Sequence, residues 1–265
     1  MKKTFMTIAT MVAAAMFVLA SCEKPDNGDQ SGNGGLKDPT EQEGNNNQGG
    51  NENQGGNNGG TTDELHASLQ GSEYVTLALD EYSTAAIQNK IKANYQLDDT
   101  NVFLYVWENT YTAGTPSGLN FYGEAAGWSS LVVGTVGWSG CGWCVVNPAT
   151  IPAFVDSTAD FADWKFHIAY KGQANKAHIV ILYWNGGEYK FAVGQGALDD
   201  AGVTYTAIPP TSGTFQPNVW NEYEISLADT GLDYTKTSTG NVAAILSGGA
   251  TGTTLDVDAI FFYKK

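Results

Sequence analysis

The feature that most constrains the fold is an alternation of apolar and polar residues in short runs after residue 70. In Trp164–Tyr170 and Gly187–Val193 the apolar residues recur with the period of two that is typical of β-strands and not of helices. Further runs of strand type are Tyr74–Leu79, Val102–Trp107, His178–Trp184, Trp220–Leu227 and Leu255–Tyr263. Turns rich in Gly, Asn, Asp and Pro separate them. We therefore predict an all-β domain, a β-sandwich or jelly roll, with one short helix near Ser83–Lys92 that Ser83 caps.

The first residues have the features of an export signal. Met1–Lys3 is positively charged, and the apolar segment Ile8–Ala20 is too short to be a stable membrane span. It ends in Leu19-Ala20-Ser21-Cys22, which resembles the lipobox of bacterial lipoproteins, where the cysteine is acylated and becomes the new N-terminus. The resemblance implies a signal peptide over residues 1–21 and lipid attachment at Cys22. The alternative is an ordinary secretory peptide with a chance cysteine.

Residues 22–62 follow as a second unit, made almost entirely of Gly, Asn, Gln, Asp and Glu without an aromatic residue. Such a segment cannot bury enough apolar surface to fold, so we predict a disordered linker in front of a domain spanning 63–265. Glu23, Asp26 and Asp29 resemble the signal that sends some Gram-negative lipoproteins to the outer face of the outer membrane. We therefore expect a protein anchored in the outer membrane by lipid and facing the exterior. The alternative is a linker that is merely acidic.

The charge of the chain limits its partners. The formal net charge is -15 and every basic residue is Lys. Nucleic acids and phosphate groups need a positive field, and arginine is the usual source of fork-shaped donors for them. With 7 Trp and 13 Tyr, the chain is better suited to a neutral partner.

Cys141 and Cys144 form a CxxC pattern in Cys141-Gly142-Trp143-Cys144. A redox CxxC normally sits at the start of a helix, whereas the flanking residues here indicate loop and strand. In an oxidising compartment we favour a small structural disulfide between the two.

Two C-terminal segments, Trp220–Asp229 and Ser247–Tyr263, look like the last strands of galactose-binding-type jelly rolls, a fold shared by many carbohydrate-binding modules. The whole layout resembles surface glycan-binding lipoproteins of Sus-type polysaccharide-uptake systems. The resemblance implies a glycan ligand and, as a neighbour, a transporter or enzyme of the same uptake system. It also implies a structural calcium ion held by Asp256 and Asp258, with Glu73 or Asp80 from the first strand. Surface carboxylates without an ion are the alternative.

A sugar site needs exposed aromatic rings with amides and carboxylates beside them. Two stretches offer this, the end of the Val102–Trp107 strand and the Gly- and Ser-rich segment from Trp128 to Trp143. The predicted carbohydrate contacts are Trp107, Tyr111, Trp128, Trp138 and Trp143, with Tyr122, Trp184 and Asn185 as weaker candidates. The alternative for each ring is burial beneath the loops.

Two other functions remain open at this point. A β-sandwich glycoside hydrolase needs two carboxylates about 5 to 10 Å apart across the scissile bond. The sequence offers the same-strand pairs Glu222/Glu224 and Asp256/Asp258 but no G-x-S-x-G elbow. We therefore predict that the protein is not an enzyme. An adhesin or structural protein that binds another protein would instead present a broad apolar patch.

Overall fold

The computed structural model describes residues 69–98, 100–134, 137–248 and 250–265, so the predicted signal peptide, Cys22 and the predicted linker lie outside the described residues. As predicted, the described part is an all-β sandwich of the jelly-roll type. Its strands are β1 Glu73–Ala78, β2 Ile91–Asn94, β3 Val102–Val106, β4 Tyr111–Ala113, β5 Ser129–Val133, β6 Ser139–Val145, β7 Trp164–Gly172, β8 Ala177–Trp184, β9 Gly187–Gly194, β10 Ala197–Asp200, β11 Val203–Thr206, β12 Asn221–Ser226, β13 Gly240–Ser247 and β14 Thr254–Lys264. The helices are α1 Glu81–Ile87 and the 3-10 turns Gln88–Lys90, Trp107–Asn109, Thr158–Ala162 and Leu227–Asp229. No helix within these residues is long and apolar enough to cross a bilayer.

The strands form two main sheets. One has five strands in the order β3-β6-β13-β8-β9, all antiparallel in the described residues. The other sheet has seven strands in the described residues. Five of them follow the order β12-β7-β14-β1-β2, and the remaining two branch from β14, where β5 pairs with β14 and β4 pairs with β5. The long strand β14 pairs with β7 along one edge and with β1 and β5 along the other. A separate hairpin, β10–β11, follows β9.

Alternation along the strands builds the core between the two sheets. On β7 the inward residues are Trp164, Phe166, Ile168 and Tyr170, as the sequence predicts. They face Val180, Leu182 and Trp184 of β8, and Phe154 packs edge-on to Trp164 and Trp184. Burial of these aromatic and branched side chains is the main contribution to the stability of the sandwich.

A β-bulge on β14 changes which side chains face the core. The register with β7 shifts between Asp258 and Phe261, and Ala259 adopts a φ of 48°. Ile260 and Phe262 therefore point into the core, whereas Asp258 and Phe261 face the outside of the seven-stranded sheet. A bulge commonly redirects side chains in this way.

The predicted short helix is confirmed, but its predicted N-cap residue and its predicted end are wrong. Asp80, not Ser83, is the N-cap: its Oδ1 accepts the Ser83 N–H at 2.8 Å and its Oδ2 accepts the Ser83 hydroxyl at 2.6 Å. The α-helix ends at Ile87, before the predicted Lys92.

The predicted disulfide between Cys141 and Cys144 is wrong. Both residues lie on β6, where an odd separation places them on opposite faces, and three residues of strand span about 10 Å, more than a disulfide bridges. Cys141 is a free thiol in the core, and burial raises its pKa, so it is not a reactive redox group either.

Candidate functional site

The outer face of the five-stranded sheet is unusually apolar for a surface. Ile179 and Ile181 of β8 and Ala244 and Leu246 of β13 form a buried cluster there, outside the main core. Four partly buried side chains pack against it, namely Trp107, Tyr183, Leu198 and Tyr205. Beside them β3 contributes Phe103 and Tyr105, whose rings lie 6.2 Å apart. Strand alternation therefore places Phe103, which is buried, together with Tyr105 and Tyr183 on this side of the sheet beside Trp107, and we call it the aromatic face.

Trp107 lies across two glycines at the centre of the aromatic face. Gly140 and Gly142 occupy successive outward positions of β6 and have no side chain to cover the strand. A Cβ added to Gly140 would lie 2.5 Å from Trp107 Cε3, and one added to Gly142 would lie 3.3 Å from Trp107 Cη2. Two atoms of the six-membered ring thus rest on the same strand. The residue is only partly buried, so part of its surface remains accessible to solvent.

A strained turn holds Trp107 in this position. Glu108 and Asn109 both adopt left-handed backbone conformations, with φ of 50° and 53°. Such conformations are uncommon outside glycine and cluster at ligand sites. Thr110 anchors the turn to β6, because its hydroxyl accepts the Gly140 N–H at 2.9 Å and donates to the Trp107 carbonyl at 2.8 Å. The backbone therefore fixes the ring before any ligand arrives.

Polar groups border the aromatic rings. Asn241 of β13 places its Oδ1 2.5 Å from the position of a Cβ added to Gly142. This oxygen is buried and has no hydrogen-bond partner among the described residues. Tyr183 stands on β8, and burial raises its pKa to about 12, so its hydroxyl stays neutral and can donate or accept. Amide and phenol groups beside an aromatic ring suit the hydroxyl rim of a sugar.

The β10–β11 hairpin folds back over one side of the aromatic face. Leu198 and Tyr205 pack on its apolar cluster, and Asp200 reaches Lys190 of β9 at 2.9 Å. Lys190 also pairs with Glu188 at 3.0 Å. Although burial opposes it, these hydrogen bonds raise the pKa of Lys190, so the ammonium group stays charged. The two carboxylates are therefore occupied by one lysine and are not poised as an acid and a base.

The aromatic residues predicted as ligand contacts divide into two groups. Tyr111, Trp128 and Trp143 are at most 3% exposed, so the prediction that their rings are open to a ligand is wrong. Tyr111 and Trp143 belong to the core between the sheets, because each points inward from its strand. Trp138 is partly buried, with its Cζ3 next to Gly140, and Trp107 is the ring at the centre of the aromatic face.

None of the weaker candidates lies on the aromatic face. Tyr122 is buried on the other sheet, in the cluster that contains Phe261. Trp184 is buried in the main core, where its Nε1 donates to the Lys236 carbonyl at 2.8 Å. Asn185 is exposed at the β8–β9 turn, with φ of 48°.

The residues predicted to bind calcium are engaged in other contacts, and Asp80 uses both carboxylate oxygens on Ser83 at the start of α1. Glu73 pairs in register with Lys264, six residues along β14 from Asp258, and its carboxylate contacts Lys92 at 3.2 Å. Asp256 is paired with Lys171 at 2.7 Å. The described residues contain no group of three or more acidic, histidine or cysteine side chains arranged to hold a metal ion.

Asp258 instead belongs to a buried polar cluster on the seven-stranded sheet. Its two oxygens accept the N–H groups of Phe121 at 2.8 Å and Ala259 at 2.7 Å, and burial raises its pKa to about 7. His167 lies nearby, with Nδ1 2.6 Å from the Ala259 carbonyl and Nε2 2.9 Å from Glu222. The hydrogen bond from His167 lowers the pKa of Glu222 to about 2. These bonds fasten β7, β12 and β14 together.

Sequence reasoning missed Tyr105, Tyr183 and Asn241. The sequence does contain a pattern that indicates Tyr105, since Phe103, Tyr105 and Trp107 occupy every second position and so share one side of a strand. The pair Gly140 and Gly142 has the same spacing and indicates a bare strip on one side of a strand.

No protein-family model and no curated protein matches the sequence. Among solved structures, the fold is similar to a crystal structure of a family 30 carbohydrate-binding module, with 15% identity, a TM-score of 0.37, and coverage of 61% of this chain and 87% of that chain. It is also similar to the family 11 module from Clostridium thermocellum in complex with a β-1,3-1,4-mixed-linked tetrasaccharide, with 11% identity, a TM-score of 0.35, and coverage of 63% and 94%. A family 61 module in complex with β-1,4-galactotriose has 12% identity, a TM-score of 0.34, and coverage of 63% and 90%. Similarity at this level does not establish a ligand for this chain.

Proposed function

We propose that the protein is a non-catalytic carbohydrate-binding protein that holds a neutral glycan on the aromatic face. The single observation that carries the proposal is the placement of Trp107 across Gly140 and Gly142, where the ring lies against a bare strand and the residue stays partly exposed. A sugar ring presents an apolar C–H face that stacks on such a surface, as apolar groups do on aromatic rings generally.

The charge and the hydrogen-bonding groups favour a neutral chain. Lys190 is neutralised by Glu188 and Asp200, so the rim offers no unpaired cation to a sulfated or uronic glycan. The Tyr183 hydroxyl can donate to or accept from the hydroxyl groups of a sugar. Because the ring and the loop are fixed in advance, little ordering entropy opposes binding.

The test is a glycan array followed by affinity gel electrophoresis with the polysaccharides that bind. The panel includes a mixed-linked β-1,3-1,4-glucan and a β-1,4-galactan, since modules of similar fold are described with oligosaccharides of these types. Loss of a central aromatic contact typically costs about 2 kcal/mol or more, so Trp107→Ala should weaken binding about 30-fold. The matched control is Trp220→Ala, which removes a partly buried indole that packs on the seven-stranded sheet, away from the aromatic face. Equal binding by both variants and the wild type would contradict the proposal.

Surface display is the second part of the proposal and rests on the N-terminal sequence. Acylation of Cys22 would tether the domain by the 22–62 segment to the outer membrane, where it would hold glycan for a neighbouring transporter or enzyme. Labelling of cells with a palmitate analogue tests this step. We expect label in the wild type and none in Cys22→Ser, and label retained in Cys22→Ser would contradict it.

A further inference from the structure

A groove at the far end of β3 from Trp107 has no role in the proposed site. It has a volume of about 520 Å³, within the range of small-molecule sites. Its walls come from α1, from the β2–β3 connection, and from the chain that follows β6, including Asn147 and Pro148. Val102 lies in the groove and Trp107 begins the turn after β3, so the two places are about 17 Å apart along the strand.

Hydrogen bonds hold the groove in shape. Asp98 Oδ1 accepts the N–H groups of Thr100, Asn101 and Val102 at 3.0, 2.6 and 2.9 Å. Burial works against it, but these bonds lower the pKa of Asp98 to about 2, so the carboxylate stays charged. Asn147 Nδ2 donates to Asn101 Oδ1 at 2.7 Å, which ties the chain after β6 to the start of β3.

The opposite wall is fixed in the same way. Gln96 Nε2 donates to Thr84 Oγ1 of α1 at 3.1 Å, and the Gln96 N–H donates to Asn94 Oδ1 at 3.1 Å. Asn94 Oδ1 also accepts the Thr76 hydroxyl at 2.9 Å. The amide groups are therefore oriented by the protein, as in a site that is formed before its ligand binds.

Both donors and acceptors are left over in the groove. The bonds above use one of the two amide hydrogens of Gln96 and of Asn147 and only the oxygen of Asn94, and no described residue donates to Gln96 Oε1 or Asn147 Oδ1. Glu81 adds a carboxylate, and no Lys lines the groove. The hydroxyl groups of a sugar can donate to and accept from these amides, whereas an anionic ligand meets Glu81 and Asp98 without a Lys in the lining. Leu79 and Leu97 offer apolar contact for the ring carbons of such a ligand.

We propose that this groove is a second saccharide-binding site, which takes one or two neutral sugar residues. The inference deepens the proposed function, because two sites on one domain would raise the affinity for a long chain above that for a short one. Each site alone would bind short oligosaccharides weakly.

The experiment follows the side-chain amide signals of the purified protein by NMR while cellotetraose, xylotetraose or mannotetraose is added. It is performed on the wild type and on Trp107→Ala, which disables the aromatic face. We expect the Gln96 and Asn147 side-chain signals to shift in Trp107→Ala with at least one of the three sugars. The double change Gln96→Ala and Asn147→Ala in that background should weaken binding about tenfold or more. The control is Gln70→Ala, which removes an exposed amide. Gln70 precedes β1 in the sequence, whereas Leu79 of the groove follows it, so the two lie at opposite ends of that strand.

The outcomes separate the two proposals. Shifts near Trp107 in the wild type, with none at Gln96 or Asn147, would overturn the second site and leave the aromatic face intact. Equal shifts at the groove with tetragalacturonic acid would overturn the neutral ligand class. Absence of any shift with any of the sugars would count against both sites.

Discussion

A side chain introduced at Gly140 should push Trp107 off the sheet. In Gly140→Ala the new Cβ would lie 2.5 Å from Trp107 Cε3 and 2.9 Å from both Leu246 Cδ2 and Trp138 Cζ3. Carbon atoms in contact are normally about 3.5–4.0 Å apart, so the neighbours must move by about 1 Å. Leu246 is held in the buried cluster of the aromatic face, whereas Trp107 is partly exposed and can yield.

The expected cost to stability is that of overpacking, about 1–3 kcal/mol, which for a domain of this size lowers Tm by about 2–12 °C. The larger effect should be on binding, where displacement of the ring should weaken glycan affinity about tenfold or more. Thermal unfolding and affinity gels with the glycan selected on the array measure the two quantities separately. Gly137→Ala is the matched control, because no atom lies within 4 Å of its added Cβ. A folded Gly140→Ala protein with wild-type affinity would refute the reasoning.

Three further predictions concern stability. The pKa of Asp258 is raised to about 7, so the folded state binds a proton more tightly than the unfolded state, and this group should lower stability by about 3 kcal/mol as pH rises from about 4 to about 7. Urea unfolding at both pH values should show a smaller loss in Asp258→Asn than in the wild type, and equal losses would contradict this. The pKa of Glu222 is lowered to about 2, so its contribution to the free energy of unfolding is present above about pH 4.5 and is lost as pH falls toward 2. Glu222→Gln should therefore lose less stability in acid than the wild type. An equal loss of stability between about pH 4.5 and about pH 2 in both proteins would contradict this. Trp143→Ala should lower the free energy of unfolding by about 3–5 kcal/mol, because the ring is buried in the core. Trp107→Ala should lower Tm much less than Trp143→Ala. Equal losses of Tm in calorimetry would contradict the burial assigned to the two rings.

The sheets could be predicted because alternation is a local property of the chain. The runs that end in Trp184 and Tyr263 became β8 and β14 within about one residue of the expected bounds. The burial of Trp143 could not be predicted from its glycine- and serine-rich neighbours, because those residues form the strand β6 and not a loop. On that strand the register with β3 and β13 decides which side chains point inward.

The positions of Asp258 and Trp107 could not be predicted, because they depend on contacts between parts of the chain that are distant in sequence. The bulge at Ala259 shifts the register of β14, and Asp258, six residues from the register partner of Glu73, is buried on the outer side of the sheet. The left-handed turn at Glu108 and Asn109 determines that Trp107 lies on β6, and neither residue is a glycine that would have signalled it. Tertiary packing stabilises both conformations, and local sequence preference does not.

The most direct test of the aromatic face is the set of indole N–H signals in an NMR titration with the glycan that the array selects. The chain has 7 Trp, so each indole reports on one place in the fold. Our account predicts that the Trp107 signal moves most, while those of the buried Trp143, Trp164 and Trp184 move little. A Trp107 signal that stays in place while that of Trp220, on the opposite sheet, moves with the ligand would contradict it.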